Sequence, residues 1–130
     1  MILLDTHMWV WWVNEANEMR PRHRELLEQN LANGLGVSVI SCWEVAKLVE
    51  KRRLKLDRAA GTWITEALQR PGVHLLPLTP EITVEACQLP GEFHHDPADE
   101  MIVATARILK IPLLTADAKI LGYPHVTLSH

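Results

Sequence analysis

Short apolar runs alternate along this chain with longer stretches in which apolar residues recur at helical spacing. The apolar runs predict five buried strands, at residues 1–4, 35–40, 73–76, 111–114 and 126–128. The helically spaced stretches predict helices at 6–13, 18–33, 41–53, 58–69, 80–88 and from 97 toward 109. Strands that alternate with helices in this way are typical of an α/β protein, with a parallel sheet between two layers of helices.

One helix–strand unit, between residues 94 and 117, has clear boundaries in the sequence. Asp96 is a natural N-cap because Pro97 follows it, and proline is favoured at the first helical position. The next strand contains Pro112, which suits only the first position of a strand. Asp117 comes directly after that strand and is placed to begin another helix. A carboxylate therefore lies at each end of this unit.

The composition fits one globular domain spanning residues 1–130. Of the 130 residues, 48% are hydrophobic and 22% are charged, which is ordinary for a soluble domain. At this length a chain buries roughly 68% of its unfolded surface, enough for a sizeable core. The net charge of -3 argues against a large nucleic-acid-binding surface, although a small basic patch is compatible with it.

The sequence contains no apolar run of the roughly 18 residues needed to cross a bilayer, and we see no secretory signal at its start. We therefore expect a cytoplasmic protein that makes no membrane contact. Cys42 and Cys87 lie in helical patterns, and we expect them to be buried free thiols rather than a disulfide.

Three tryptophans, Trp9, Trp11 and Trp12, lie in the first helix. A helix of this length cannot point all of them at one small sheet. Either they fill a corner of the core, or part of the cluster faces a partner.

Acidic residues recur near the ends of the strands. Asp5 follows the first strand, Glu44 comes four residues after the second, and Asp117 follows the fourth. Asp99 lies in the first turn of the helix that precedes the fourth strand. Ligands of parallel α/β sheets bind outside the carboxyl ends of the strands, so we expect these acids to converge there.

Carboxylates gathered in one place raise one another's pKa unless a cation neutralises them. Oxygen ligands with few histidines favour Mg²⁺ or Mn²⁺ over Zn²⁺. A site of this kind can orient a water, lower its pKa and stabilise charge on a phosphoryl group. The acids therefore point to metal-assisted hydrolysis of a phosphodiester.

Most of these acids also have a purely structural interpretation. Glu44 fits a capping box with Ser41, and Asp96 and Asp117 fit N-caps. Asp5 differs, because a carboxylate directly after a buried apolar run has no obvious capping role. It is the joint placement of the acids at strand ends that favours a metal site.

The chain contains LLDTH near its start, ISCWEVAKLVEKRRLKL in the middle, and HHDPADEMIVATA followed by PLLTAD near its end. These motifs resemble the PIN domain and, more narrowly, VapC-type toxins of type II toxin–antitoxin systems. The resemblance covers nearly the whole chain. It implies a PIN-like three-layer α/β/α fold with a five-stranded parallel sheet, and a Mg²⁺- or Mn²⁺-dependent endoribonuclease that forms a homodimer and is inhibited by a cognate antitoxin.

The resemblance also assigns the site. The family's acidic positions carry over to four catalytic and metal-binding residues, with a fifth acid as an accessory ligand: Asp5, Glu44, Asp99 and Asp117, with Asp96 as the accessory. Thr115 matches the hydroxyl that the family places beside its last acid.

Four residues near these acids are candidate RNA contacts: Thr6, Lys47, Lys51 and Thr115. Lys47 and Lys51 share a helix face with Glu44, so they could steer an RNA phosphate toward the metal. A solvated helix face is the equally simple interpretation of the two lysines.

The chain departs from the family's pattern at three positions. Arg52 stands where the family often has glycine, which denies that helix end a cost-free left-handed residue. His95 and Glu100 stand where it often has arginine, which removes positive charge near the acids. His7 and His94 also lie near the acids, but they lack the spacing of metal-binding histidines, so we expect hydrogen bonds at the rim.

Other functions make different demands on the sequence. A phosphatase built on the first-strand aspartate needs a second aspartate two residues on, where this chain has His7. A phospho-accepting receiver domain needs an acid after the third strand, and residues 76–79 contain none. A catalytically silent PIN-like interaction domain and a non-toxin PIN nuclease remain as alternatives.

Overall fold

A four-stranded parallel sheet runs through the centre of the structure, a computed structural model that describes residues 1–130. Its strands are β1 (Ile2–Leu4), β2 (Leu35–Ser38), β3 (Val73–Leu76) and β4 (Leu113–Leu114). Their spatial order is β3-β2-β1-β4, so β1 lies in the interior with β2 and β4 on either side. The predicted α/β class and parallel sheet are confirmed.

Seven helices connect and cover the strands. They are α1 (Thr6–Asn14), α2 (Pro21–Asn30), α3 (Val39–Glu50), α4 (Ala60–Leu68), α5 (Pro80–Ala86), α6 (Pro97–Leu109) and α7 (Ala118–Leu121). None of them is long and apolar enough to cross a lipid bilayer.

Alternation along β1 separates two hydrophobic layers. Ile2 and Leu4 point to the side covered by α1 to α4, where Trp9 is fully buried. Leu3 points to the opposite side and packs with Ile102 of α6. Because successive strand residues face opposite sides, three apolar residues serve both layers. The result is the three-layer α/β/α arrangement.

The expected fifth strand at residues 126–128 is not formed. Only one position pairs, Leu113 with Leu128, and Leu113 exchanges hydrogen bonds of 2.9 Å with the backbone of Thr127 and Ser129. The next N–H that could extend this ladder belongs to Ile111, which donates instead to Ala106 O at the end of α6. The sheet therefore has four strands, and the prediction of five is wrong.

Several predicted boundaries move for local reasons. The second helix was predicted at 18–33, but Pro21 occupies its first position and delays the start, and Leu31 is exposed rather than buried. Cys42 and Cys87 are free thiols as expected, although Cys87 is exposed. Sequence patterns place elements well and their ends less well.

The tryptophans of α1 mainly complete the core. Trp9 meets Trp63 edge to face, with ring centroids 5.0 Å apart. Trp11 and Trp12 are half-buried against the same cluster, and the Arg70 guanidinium lies 4.6 Å from the Trp12 ring centroid. The core interpretation of this cluster is therefore confirmed for Trp9.

Candidate metal centre

A polar cleft of about 170 Å³ opens where Asp5 leaves β1 and Asp117 follows β4. No apolar side chain lines it. The lining residues are Asp5, Thr6, His7, Glu44, His94, Asp96, Asp99, Asp117 and Lys119. A larger cavity of about 550 Å³ lies between α1 and α4, but there the acids Asp57 and Glu66 are paired with Arg58. The small cleft is the place where carboxylates converge.

Asp5 is almost completely buried and both of its oxygens accept hydrogen bonds. Oδ1 accepts from the Met8 amide at 2.8 Å, which makes Asp5 the N-cap of α1, and Oδ2 accepts from the Thr115 hydroxyl. The expectation that Asp5 has no capping role is therefore wrong. Burial raises the pKa of Asp5 to about 6, although both hydrogen bonds act to lower it.

Glu44 is not part of a helix cap. Helix α3 begins at Val39, because Ser38 caps it by accepting a hydrogen bond from the Ile40 amide at 3.1 Å. Ser41 is buried inside the helix and accepts a hydrogen bond from Thr6 at 2.9 Å, so the proposed capping box with Glu44 does not exist.

The Glu44 carboxylate instead belongs to the lining of the cleft. Burial raises its pKa above the usual value, and the negative charges of Asp99 and Asp96 add to the effect. The side chain is therefore held where its charge is unfavourable without a counter-ion.

Helix α6 brings two acids to the cleft from its first turn. Asp96 caps the helix, and its Oδ1 accepts a hydrogen bond of 2.9 Å from the Asp99 amide. Asp99 Oδ2 lies 2.6 Å from His94 Nε2. Burial raises the pKa of Asp99, and the charges of Asp96 and Asp117 raise it further, while His94 lowers it.

Three of the carboxylates come close enough together to share one ion. One oxygen from each of Glu44, Asp96 and Asp99 lies within 4.8 Å of the others. A set of carboxylate oxygens from two helices fits a hard divalent cation such as Mg²⁺ or Mn²⁺. Asp5 and Asp117 line the same cleft without joining this close group. Asp96, expected as an accessory, is thus placed as centrally as Asp99.

Thr115 links the acids that follow β1 and β4. Its hydroxyl donates to Asp5 and accepts from the Asp117 amide at 3.0 Å. Asp117 in turn caps α7, because its Oδ1 accepts from the Lys119 amide at 2.8 Å. The threonine therefore holds the two strand ends in register with each other.

The candidate RNA contacts lie in different surroundings. Thr6 and Thr115 are buried and have partners inside the protein. Lys47 pairs with Glu50 at 2.8 Å, and Lys51 is exposed at the C-cap of α3. Neither lysine lines the cleft. Their roles toward RNA stay predictions.

Lys119 lines the cleft and was missed in the sequence. The available signal was its position two residues after Asp117, which places it in the first turn of α7 once Asp117 is the cap. His94, expected at the rim, does bond there. His95 and Glu100, the two positions where the family often has arginine, lie 4.0 Å apart, and neither lines the cleft.

A parallel α/β sheet with acids converging beyond its strand ends is the arrangement of PIN-like proteins. The family model described as "PIN domain" matches residues 2–125 of this sequence. The chain therefore belongs to the PIN-domain family.

Individual relatives agree with this assignment. The chain is 32% identical to "Ribonuclease VapC22" of Mycobacterium tuberculosis over 124 residues, which cover 95% of this chain and 92% of that protein. VapBC2 of Rickettsia felis, solved bound to a promoter DNA fragment, matches with a TM-score of 0.71 at 19% identity, covering 99% of this chain and 98% of that one. FitAcB of Neisseria gonorrhoeae matches with a TM-score of 0.72 at 21% identity, covering 100% and 97%. At these identities the two structures support the fold alone.

Proposed function

We propose that this protein is a Mg²⁺- or Mn²⁺-dependent endoribonuclease and the toxin of a type II toxin–antitoxin system. One observation carries the proposal: carboxylate oxygens of Glu44, Asp96 and Asp99 lie within 4.8 Å of one another in a polar cleft of a PIN-domain chain. The name of the curated relative, a VapC ribonuclease, supports RNA as the substrate.

The acids of the cleft are the proposed cation ligands. Glu44, Asp96 and Asp99 would hold the cation, with Asp5 and Asp117 beside them. When bound, such an ion lowers the pKa of a coordinated water and stabilises charge on a phosphoryl oxygen. The raised pKa values of Asp5, Glu44 and Asp99 support this role, because these carboxylates gain from a positive charge nearby.

The remaining side chains orient the acids and the substrate. Thr115 and the Met8 amide fix the Asp5 carboxylate in one orientation. Lys119, at the rim, can place its ammonium against a phosphate oxygen of the RNA. We retain Asp5, Glu44, Asp99 and Asp117 as the proposed catalytic acids.

Partners follow from the same resemblance. A similar solved structure, from Klebsiella pneumoniae, is a toxin–antitoxin complex, and this supports a cognate antitoxin as a partner. The proposed location of the pair is the cytoplasm. A homodimer is supported by Val39 and Trp43, which lie one turn apart on α3 and are both exposed, Trp43 by 52%. A second copy of the chain would cover them.

The decisive variant for the ribonuclease proposal is Asp99→Asn. It keeps the size of the side chain but removes a charge from the close group, so we expect Mn²⁺-dependent RNA cleavage to fall by on the order of 100-fold. Glu81→Gln is the matched control, an acid in the first turn of α5 outside the cleft. Cleavage by Asp99→Asn within threefold of wild type would remove Asp99 from the proposed site, whereas a wild type that does not cleave RNA in Mn²⁺ would favour a silent interaction domain.

A further inference from the structure

Of the side-chain hydrogen bonds made by Asp96 and Asp99, the shortest is the one between Asp99 and His94. His94 Nε2 lies 2.6 Å from Asp99 Oδ2, and both side chains are mostly buried. Imidazole Nε2 can donate in the neutral tautomer that carries its proton there and also in the imidazolium form. With a proton on Nε2, in the neutral or the charged imidazole, the contact is therefore a hydrogen bond that His94 donates to Asp99.

The His94 ring is packed against an aromatic residue that contacts the core. Phe93 packs against the His94 ring with centroids 4.3 Å apart, and meets Tyr123 edge to face at 4.8 Å. Tyr123 is buried, and its hydroxyl donates to Pro90 O at 2.5 Å. The segment that carries His94 is thus tied at one end to the core and at the other to the Asp96 cap.

Asp96 and Asp99 consequently each have one oxygen fixed before any ion binds. Asp96 Oδ1 is held by the Asp99 amide, and Asp99 Oδ2 by His94. A carboxylate without such a hydrogen bond rotates easily about its terminal torsion, whose energy profile is broad. A second group that fixes a ligand commonly changes metal affinity by 10–100-fold on removal.

We propose that His94 is a positioning residue of the metal site, which holds the Asp99 carboxylate so that its other oxygen is presented to the cation. The inference rests on the proposed function, since it needs a cation at Glu44, Asp96 and Asp99. In this proposal His94 would not serve as a ligand of the cation. Its contribution is to fix the orientation of a ligand, with the Phe93–Tyr123 packing as its support.

The test is a titration of the full-length protein with Mn²⁺, followed by the rise in melting temperature. We expect His94→Leu to need about tenfold more Mn²⁺ than wild type for half of the rise. His94→Gln, whose amide nitrogen can donate in place of Nε2, should recover to within about threefold. His95→Leu is the matched control, because His95 is the neighbouring residue, 96% exposed and outside the cleft.

Cleavage assays then separate positioning from folding. At saturating Mn²⁺ the kcat of His94→Leu should return to within a fewfold of wild type, because the acids themselves remain. Equal Mn²⁺ dependence in wild type and His94→Leu would overturn this inference and leave the proposed function standing. A wild-type protein whose melting temperature does not respond to Mn²⁺ would overturn the proposed function and the inference together.

Discussion

Asp5 is at once an N-cap and a buried acid. Its two oxygens accept from the Met8 amide and the Thr115 hydroxyl, yet burial still raises its pKa to about 6. In this balance desolvation outweighs two hydrogen bonds that favour the charged form. The residue therefore stabilises the start of α1 while its charge destabilises the metal-free fold near neutral pH.

This balance predicts a pH dependence. Between the ordinary pKa of 3.8 and the folded-state pKa of about 6, the folded protein keeps a proton that the unfolded chain has lost. The free energy of unfolding in chelator should therefore fall as pH rises through this window. Asp5→Asn keeps a capping oxygen but does not titrate. The free energy of unfolding of Asp5→Asn, measured relative to wild type, should therefore be higher at about pH 7 than at about pH 4 by roughly 2 kcal/mol.

Denaturant unfolding of both proteins at the two pH values, in chelator, measures the effect. Parallel pH dependence of wild type and Asp5→Asn would mean that Asp5 titrates normally in the folded protein.

The sequence predicted which acids come together in the cleft better than it predicted what each of them contacts. Asp96 was identified as a cap because the signal, a following proline, is local. The Ser41–Glu44 box was wrong because β2 ends two residues earlier than its apolar pattern. The bond from Thr115 to Asp5 joins residues 110 apart in sequence, so no local pattern contains it.

The end of α3 is formed by an arginine in a conformation that favours glycine. Arg52, where the resemblance predicted glycine, adopts a left-handed conformation with φ of 58°. Its amide donates to Val49 O, and the Arg53 amide donates to Leu48 O at 2.8 Å, which together form a Schellman motif. The chain therefore forms this turn at the cost of a strained arginine.

Replacing Arg52 with glycine should relieve that strain. A left-handed residue with a Cβ costs roughly 1–2 kcal/mol, and glycine returns part of this as backbone entropy. We expect Arg52→Gly to raise the free energy of unfolding by about 0.5 kcal/mol, measured by urea denaturation. Lys51→Gly is the matched control, since Lys51 has an ordinary φ of -81° and should lose stability. A less stable Arg52→Gly would show that the arginine side chain contributes contacts that outweigh the strain.

At the scale of the molecule, the cleft exists only because separate segments meet. β1 and β4 are hydrogen-bonded neighbours, which brings Asp5 close to residues 115–117. Helices α3 and α6 pack against each other, which brings Glu44 to the acids of α6. Periodicity predicted the layers and the convergence of acids at strand ends. Residues 126–128 do not form a strand beside β4, because the Ile111 N–H that would extend their pairing donates to Ala106 O instead. No local sequence pattern predicts that contact.

The central claim is that the acids of the cleft act through their charge on a cation, and Glu44 tests it most directly because it caps nothing. In Glu44→Gln the melting temperature in chelator should equal or exceed that of wild type, since a carboxylate with a raised pKa is removed. Its RNA cleavage rate in Mg²⁺ should fall by on the order of tenfold or more. Glu28→Gln, an exposed acid on α2 outside the cleft, is the control for both readouts. Full cleavage by Glu44→Gln with a lowered melting temperature, measured on one preparation, would contradict the account.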